Sequence, residues 1–146
     1  MIATGTDILR FIPQRAPMVM IDTLIASGEH ETLSGFTIDA GNIFADSGLF
    51  SESGMVENIA QTAAAGVGYR CREAGQPVPL GFIAVVKNLN VEALPPVGAT
   101  IETSVIAVNQ VLDVSIVEGT VRCNGKVMAS CELRIFVKSE NHEANP

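Results

Sequence analysis

The chain has 146 residues, of which 47% are hydrophobic, and it carries a formal net charge of −7 with a mean hydropathy of +0.33. A chain of this length can bury a sizeable core, and its hydrophobicity excludes a disordered polymer. The acidic balance argues against nucleic-acid binding. No apolar run reaches the length that a membrane span requires. We therefore expect one domain over residues 1–146, with no nucleic-acid partner and no membrane span.

The cysteines and the N-terminus indicate the compartment. Three cysteines, Cys71, Cys123 and Cys131, are an odd number without metal-ligand spacing. Residues 1–10 lack the basic start and apolar run of a signal peptide. Both observations favour a reduced, cytoplasmic setting in which the thiols pack in the interior. We expect neither a metal nor a cofactor.

The first part of the chain predicts a short helix, two strands and a loop. Thr6–Phe11 has the pattern of a short helix capped by Thr6. The apolar runs that follow predict strands at Met18–Ser27 and His30–Ile38. The loop Asp39–Glu52 contains several large apolar residues, so we expect it to fold over another part of the molecule.

A long apolar stretch, Ser53–Tyr69, predicts the central helix, ending near Gly75. Its residues are small and apolar on nearly every face, which is typical of a buried helix. Glu57 and Gln61 interrupt this pattern and share a face, because they lie at i and i+4. A carboxylate in a buried helix is costly unless it is paired or used.

After the helix the pattern is almost entirely β. Pro95–Gly98 predicts a turn, and Asn124-Gly125 predicts a two-residue hairpin turn. The polar tail Ser139–Pro146 is expected to fray. The four predicted strands are Pro79–Ala93, Ala99–Asn109, Val111–Arg122 and Lys126–Lys138.

This element order predicts an α+β fold. Consecutive hairpins require a mostly antiparallel sheet, and an apolar helix requires burial on several sides. A curved sheet of about six strands wrapped around one long helix meets both needs. This arrangement is the hot-dog fold, in which a second subunit usually covers the remaining helix face.

Three segments resemble the 3-hydroxyacyl-acyl carrier protein dehydratases. Ile12–Asp22 is similar to that family's opening Leu-Pro-His-Arg-x-Pro-Phe-Leu-Leu-Val-Asp. Glu57–Gln61 resembles its helix motif Glu-Ala-x-Ala-Gln, and Leu94–Thr100 resembles its Val-x-Pro-Gly-Asp turn. The resemblance covers about Ile12–Val137 and is closest to a divergent branch found beside aryl-polyene and flexirubin-type pigment pathways.

The resemblance implies a catalytic role for Glu57, but the histidine that acts as the general base in that family has no counterpart in this sequence. In that family, a loop histidine removes the proton alpha to the thioester carbonyl, and the helix carboxylate helps the 3-hydroxyl to leave as water. The loop before Glu57 contains no histidine here, and we expect neither His30 nor His142 to reach the site. Gln14 stands where the family has another histidine. Asp46 is the ionisable residue that this loop offers instead.

We therefore expect Glu57 to be catalytic, with Gln61 and Asp46 in support. A purely structural role would also explain Glu57: its negative charge is favourable near the positive N-terminal end of the helix, and a buried arginine is an alternative partner. Backbone N–H groups at the helix start would polarise a thioester carbonyl. The residues predicted to contact the acyl substrate are Phe44, Phe50, Gly54 and Val85.

Three functions remain open at this point. The chain would be a dehydratase of 3-hydroxyacyl thioesters, a hydrolase that uses Glu57 alone, or an acyl-binding subunit that pairs with a histidine-bearing hot-dog protein. The expected substrate carrier is acyl carrier protein or coenzyme A. The expected assembly is a homodimer whose sheets join edge to edge, because an unpaired edge strand is a liability, or a higher oligomer, or else a heterodimer of two hot-dog proteins.

Overall fold

A computed structural model describes residues 1–138. The predicted frayed tail, with His142, lies outside these residues. No helix within them is long and apolar enough to cross a membrane. The elements are a 3-10 helix at Gly5–Arg10, the helix α1 at Glu52–Glu73, and the strands β1 Ala3–Thr4, β2 Thr23–Ser27, β3 Glu31–Thr37, β4 Ala45–Asp46, β5 Leu49–Phe50, β6 Leu80–Val91, β7 Thr100–Val111, β8 Val114–Cys123 and β9 Lys126–Lys138.

Seven strands form one antiparallel sheet in the order β1-β2-β3-β7-β8-β9-β6. Helix α1 contacts six of them, β2, β3 and β6 to β9, so the sheet wraps around the helix. The predicted α+β architecture is confirmed, with the two-residue β1 added to the six expected strands. Asn124 and Gly125 adopt positive φ angles of 52° and 78°, which make the tight turn between β8 and β9.

Helix α1 begins and ends at residues that satisfy its terminal backbone groups. The Ser51 hydroxyl caps the start by accepting a hydrogen bond from the Gly54 N–H at 3.2 Å. Gly75, at a φ of 69°, follows the last turn, as predicted.

Two glycines within α1 let neighbouring segments approach the helix closely. A Cβ at Gly66 would meet the Thr32 side chain, and a Cβ at Gly68 would meet the Phe11 carbonyl.

The predicted strand Met18–Ser27 is wrong over its first half, since β2 begins only at Thr23. Met18 and Met20 bond instead to amide side chains of α1. The Gln61 amide accepts from the Met20 N–H at 2.6 Å and donates to the Met18 carbonyl at 2.8 Å. Asn58 donates to the Met20 carbonyl at 2.8 Å. These bonds occupy the backbone groups that a sheet ladder would need.

Three smaller predictions also need correction. The first helix is a 3-10 helix in which Thr4 takes the N-cap position and makes no side-chain cap bond, so Thr6 is not the cap. Strand β8 begins at Val114 rather than Val111, because the turn at Leu112, with a φ of 54°, separates it from β7. The loop before α1 contains the short hairpin of β4 and β5.

Candidate active site

A cavity of about 380 Å³ lies between α1 and the concave face of the sheet. This volume is within the range of small-molecule sites, about 300–1,000 Å³. Small apolar side chains of α1 form its floor: Ala60, Ala63, Ala64 and Val67. Glu57 and Arg70 lie on the same helix, before and after this floor, and also line the cavity. The α1 side of the cavity is therefore apolar along its length and carries one ionisable residue of the helix at each end.

Glu57 is half-buried at the first of these ends. The Gln61 Nε2 group donates a hydrogen bond to Glu57 Oε2 at 2.7 Å, so the predicted i, i+4 pair is present. This donor fixes one carboxylate oxygen. Within residues 1–138, Oε1 makes no hydrogen bond to protein. Glu57 thus presents one held and one free oxygen to the cavity.

Gln61 is held in turn by the segment that runs from Met18 to Met20. Its side-chain amide is fully buried. The amide oxygen accepts a hydrogen bond from this segment's backbone, and the amide nitrogen donates one to it. Asn58 anchors the same segment and accepts a hydrogen bond from the Thr103 hydroxyl at 2.5 Å. The rotamer of Glu57 therefore rests on a buried polar network that joins α1 to β7.

Gln14 also lines the cavity, and it was not among the predicted site residues. Its Oε1 atom is buried and has no hydrogen-bond partner among the described residues. A buried amide oxygen without a partner is costly. An N–H or O–H group of a ligand or partner would satisfy it. The sequence signal was present, because Gln14 stands at a family histidine position.

The structure places the other predicted residues outside this cavity. Asp46 is exposed on β4 and accepts a hydrogen bond from the Ser47 hydroxyl at 3.3 Å. Phe50 is fully buried in the core, with its ring centroid 5.9 Å from that of Phe36. A Cβ at Gly54 would collide with the Phe50 ring and with Phe44. Val85 is exposed on β6.

The N–H groups at the start of α1 are partly used by the cap. The Gly54 N–H donates to the Ser51 hydroxyl, and the Met55 N–H donates to the Ser51 carbonyl at 3.1 Å. Gly54 therefore serves the packing of Phe44 and Phe50 as well as the cap. Its N–H would have to exchange the Ser51 hydroxyl for a thioester oxygen to polarise a substrate.

The far end of the cavity is polar. Arg70 lies there with its Nη1 donating to the Ser27 hydroxyl at 2.6 Å and to the Gly28 carbonyl at 2.8 Å. His30 is exposed in the adjoining turn and lines the cavity. Glu57 and Arg70 are 13 positions apart, which is about 20 Å along a helix that rises about 1.5 Å per residue. His30 thus belongs to the end of the cavity opposite Glu57.

Other reactive groups do not converge on this site. No group of three or more His, Cys, Asp or Glu side chains within residues 1–138 is arranged to hold a metal. Cys131 is buried, and burial raises the pKa of its thiol from 9.0 to about 11. A thiol with so high a pKa is a poor nucleophile at neutral pH.

The wrapped sheet and central helix define a hot-dog protein. Over residues 6–145 the chain matches the ApeP-like family, described as ApeP dehydratase, and it belongs to that family. Among curated proteins, no sequence matches this chain closely enough to count as a relative.

Solved structures agree on the fold. A chain of the dehydratase heterocomplex ApeI:P from Xenorhabdus doucetiae superposes with a TM-score of 0.78 at 17% identity, covering 95% of this chain and 97% of that one. Streptococcus mutans smu.793 bound to acetyl CoA superposes with a TM-score of 0.62 at 10% identity, covering 80% and 88%. E. coli PaaI, from the phenylacetic acid degradation operon, gives 0.61 at 10% identity, covering 78% and 81%.

Proposed function

We propose that the chain is the glutamate-bearing subunit of a 3-hydroxyacyl thioester dehydratase. The observation that carries this proposal is Glu57, which presents a free carboxylate oxygen to an apolar cavity while Gln61 holds the other oxygen. Membership of a dehydratase family supports the reaction class. The apolar cavity suits an acyl chain, and the thioester would be carried by acyl carrier protein or coenzyme A.

The reaction needs a base as well as an acid. A base removes the proton at C2, the C2–C3 double bond forms, and the C3–O bond breaks as Glu57 gives a proton to the departing hydroxyl, which leaves as water. Gln61 orients the carboxyl group for this transfer. Gln14 Oε1 is free to accept a hydrogen bond from the substrate or from the base. The expected contribution of a positioned acid is about 10²–10⁴-fold in rate.

The base in this proposal is a histidine of a second hot-dog subunit. Neither Asp46 nor His30 lies beside Glu57, and the structure with a TM-score of 0.78 is itself a dehydratase heterocomplex. Strand β6 is the natural contact for such a subunit, since among the described residues it lies at the edge of the sheet and pairs with β9 alone. A long exposed apolar edge favours pairing with another chain. Its exposed large apolar side chains are Leu80, Phe82, Ile83, Val85, Val86 and Leu89.

The test mixes the purified chain with a hot-dog subunit that carries a loop histidine and follows the conversion of 3-hydroxyacyl thioesters. Enoyl formation is expected in the mixture and only slowly, or not at all, with either subunit alone. Glu57→Gln should lower the rate of the mixture by a factor of about 100 or more. Glu73→Gln is the matched control, because Glu73 is exposed on the same helix and lies outside the cavity.

Other outcomes would select a different function. Release of free thiol without enoyl formation would indicate the hydrolase. Brisk dehydration by the chain alone that is abolished by Asp46→Asn would show that Asp46 is the base and that no partner is needed. Binding of acyl thioesters without turnover in any mixture would leave a non-catalytic acyl-binding subunit.

A further inference from the structure

The outer face of the sheet, which points away from α1, carries an apolar row at one end. The strand register places Val111 opposite Val114, Val114 opposite Phe136, and Phe136 opposite Phe82. The residues before and after Phe136 line the cavity, so Phe136 and its row lie on the opposite face of the sheet. Leu112 follows Val111 in the turn between β7 and β8. We call these five residues the tip patch.

The tip patch is open to water in the single chain. Leu112 is 90% exposed, Phe82 56%, Val111 51% and Phe136 43%. At about 150–250 Å² for a large side chain, these exposed parts amount to roughly 500 Å² of apolar surface. A contiguous apolar patch of that size on one chain is typical of an interaction site.

Leu112 is an unusual residue for its position in the turn. Its φ of 54° lies in the left-handed region, which glycine, asparagine and aspartate adopt more readily than leucine. The equivalent position of the β8–β9 turn has Asn124, with a φ of 52°, followed by Gly125. Leucine at position 112 therefore costs free energy through its backbone and through its exposure. Burial against another molecule would offset both costs.

The charges beside the patch favour a second copy of the chain as that molecule. Four residues along β8 and β9 from the apolar row, the same face carries Glu118, Glu132 and Lys87 side by side. A twofold axis that runs along the apolar row stacks one tip patch on the other and sends the two charged rows in opposite directions, so like charges do not meet. The two patches together bury roughly 1,000 Å², which is about the minimum for a specific interface. A lipid surface fits less well, because the chain has a net charge of −7 and anionic headgroups attract basic segments.

We propose that the tip patch is a self-association surface on which a second copy packs its own tip patch about a twofold axis. Of the five residues, only Phe82 belongs to the β6 edge assigned above to the histidine-bearing subunit. The two contacts are therefore compatible, and two hot-dog pairs would join back to back. For an interface of this area we expect a dissociation constant on the order of 10 µM.

Sedimentation velocity of the full chain tests the proposal without any substrate. Concentrations of about 1–200 µM bracket the expected constant, and one association step should occur within them. Leu112→Asn should raise the dissociation constant by about 100-fold, because a twofold interface loses the side chain twice. Asparagine suits a φ of 54°, so this variant should melt no lower than the unaltered chain. If it does not fold, Val111→Thr keeps a β-branched strand residue and should weaken the step by about tenfold or more.

Two control variants assign the step to the tip patch. Val127→Thr should leave the step unchanged, because Val127 is also an exposed apolar residue but lies beside the β8–β9 turn. Leu89→Lys alters the exposed β6 strand away from the tip patch, and the step should persist in it. Loss of the step in Leu89→Lys, or its persistence in Leu112→Asn and Val111→Thr, would overturn the inference. Sedimentation that does not change with concentration would overturn it equally.

Other occupants give different results. The complex with a histidine-bearing subunit should show the same step, and a step that disappears in this complex would show that the subunit covers the tip patch instead. Flotation with phosphatidylcholine vesicles that requires Leu112, without a step in solution, would replace the second copy by a lipid surface. Dehydratase activity plays no part in these measurements, so the proposed function and this inference fail separately.

Discussion

Replacing Gln61 by leucine tests whether the buried amide network stabilises the fold as well as orienting Glu57. Gln61 is fully buried, and its amide is the partner of the Met20 N–H and the Met18 carbonyl. Leucine has similar bulk and can satisfy neither group. A buried donor left without a partner costs about 1–3 kcal/mol, and the loss of a more accessible hydrogen bond costs about 0.5–1.5 kcal/mol. We expect Gln61→Leu to lower the free energy of unfolding by about 2–4 kcal/mol.

Urea unfolding followed by circular dichroism measures this loss. With a denaturant dependence of about 2 kcal/mol per molar urea, the midpoint should fall by about 1–2 M. The matched control is Gln76→Leu, because Gln76 is exposed beyond the end of α1 and its side chain makes no hydrogen bond to any residue from 1 to 138. That change should stay within about 0.5 kcal/mol. Equal midpoints for the two variants would refute the network's role in stability.

Three further outcomes follow from packing and burial. Gly68→Ala should lower the free energy of unfolding by about 1–3 kcal/mol, because the added Cβ would meet the Phe11 carbonyl. Gly28→Ala should leave the thermal melt unchanged, because its added Cβ would have no contact shorter than 3.8 Å. A thiol reagent at pH 8 should modify the half-buried Cys71 and reach Cys131 only on unfolding, as mass spectrometry of the labelled sites would show. Burial raises the pKa of the Cys131 thiol from 9.0 to about 11. The thiol therefore ionises more readily in the unfolded chain, so the free energy of unfolding should fall by about 2–3 kcal/mol as the pH rises from 9 to 11. Cys131→Ala should remove this contribution to the pH dependence of stability.

The elements that were predicted well are those whose signals are local. The limits of α1 follow from its apolar run and from Gly75, and the β8–β9 turn follows from Asn124-Gly125. The half of Met18–Ser27 that was predicted wrongly has an equally apolar local pattern. Its backbone partners are Asn58 and Gln61, about 40 positions away, so no local pattern could show that it leaves the sheet.

The geometry of the candidate site was predictable only where it follows helix periodicity. The sequence places Glu57 and Gln61 on one face because they lie at i and i+4, and the hydrogen bond of 2.7 Å between them confirms this contact, whereas their catalytic role stays a prediction. Arg70 was missed, although it continues the stripe of Glu57, Ala60, Ala64 and Val67 at steps of three or four. Gln14 stands at a family histidine position, but only the long-range packing of the N-terminal segment brings it to the cavity, which no local pattern shows.

Helix α1 contributes both to the buried core and to the wall of the cavity. Met55 and Ile59 belong to the buried core, and a Cβ at Gly119 of β8 would collide with Ile59, so this face has no room for change. The floor alanines line the cavity and also touch the core, since Ala63 belongs to the same buried cluster as Met55 and Ile59, and Ala60 packs against that cluster. The polar residues of the helix also make folding contacts, since Gln61 bonds to the Met18–Met20 segment and Arg70 bonds to Ser27 and Gly28. Val67 lines the cavity and belongs to neither buried core cluster, so under the proposed function a change of size at Val67 should alter the acyl group that fits with the least loss of core contacts.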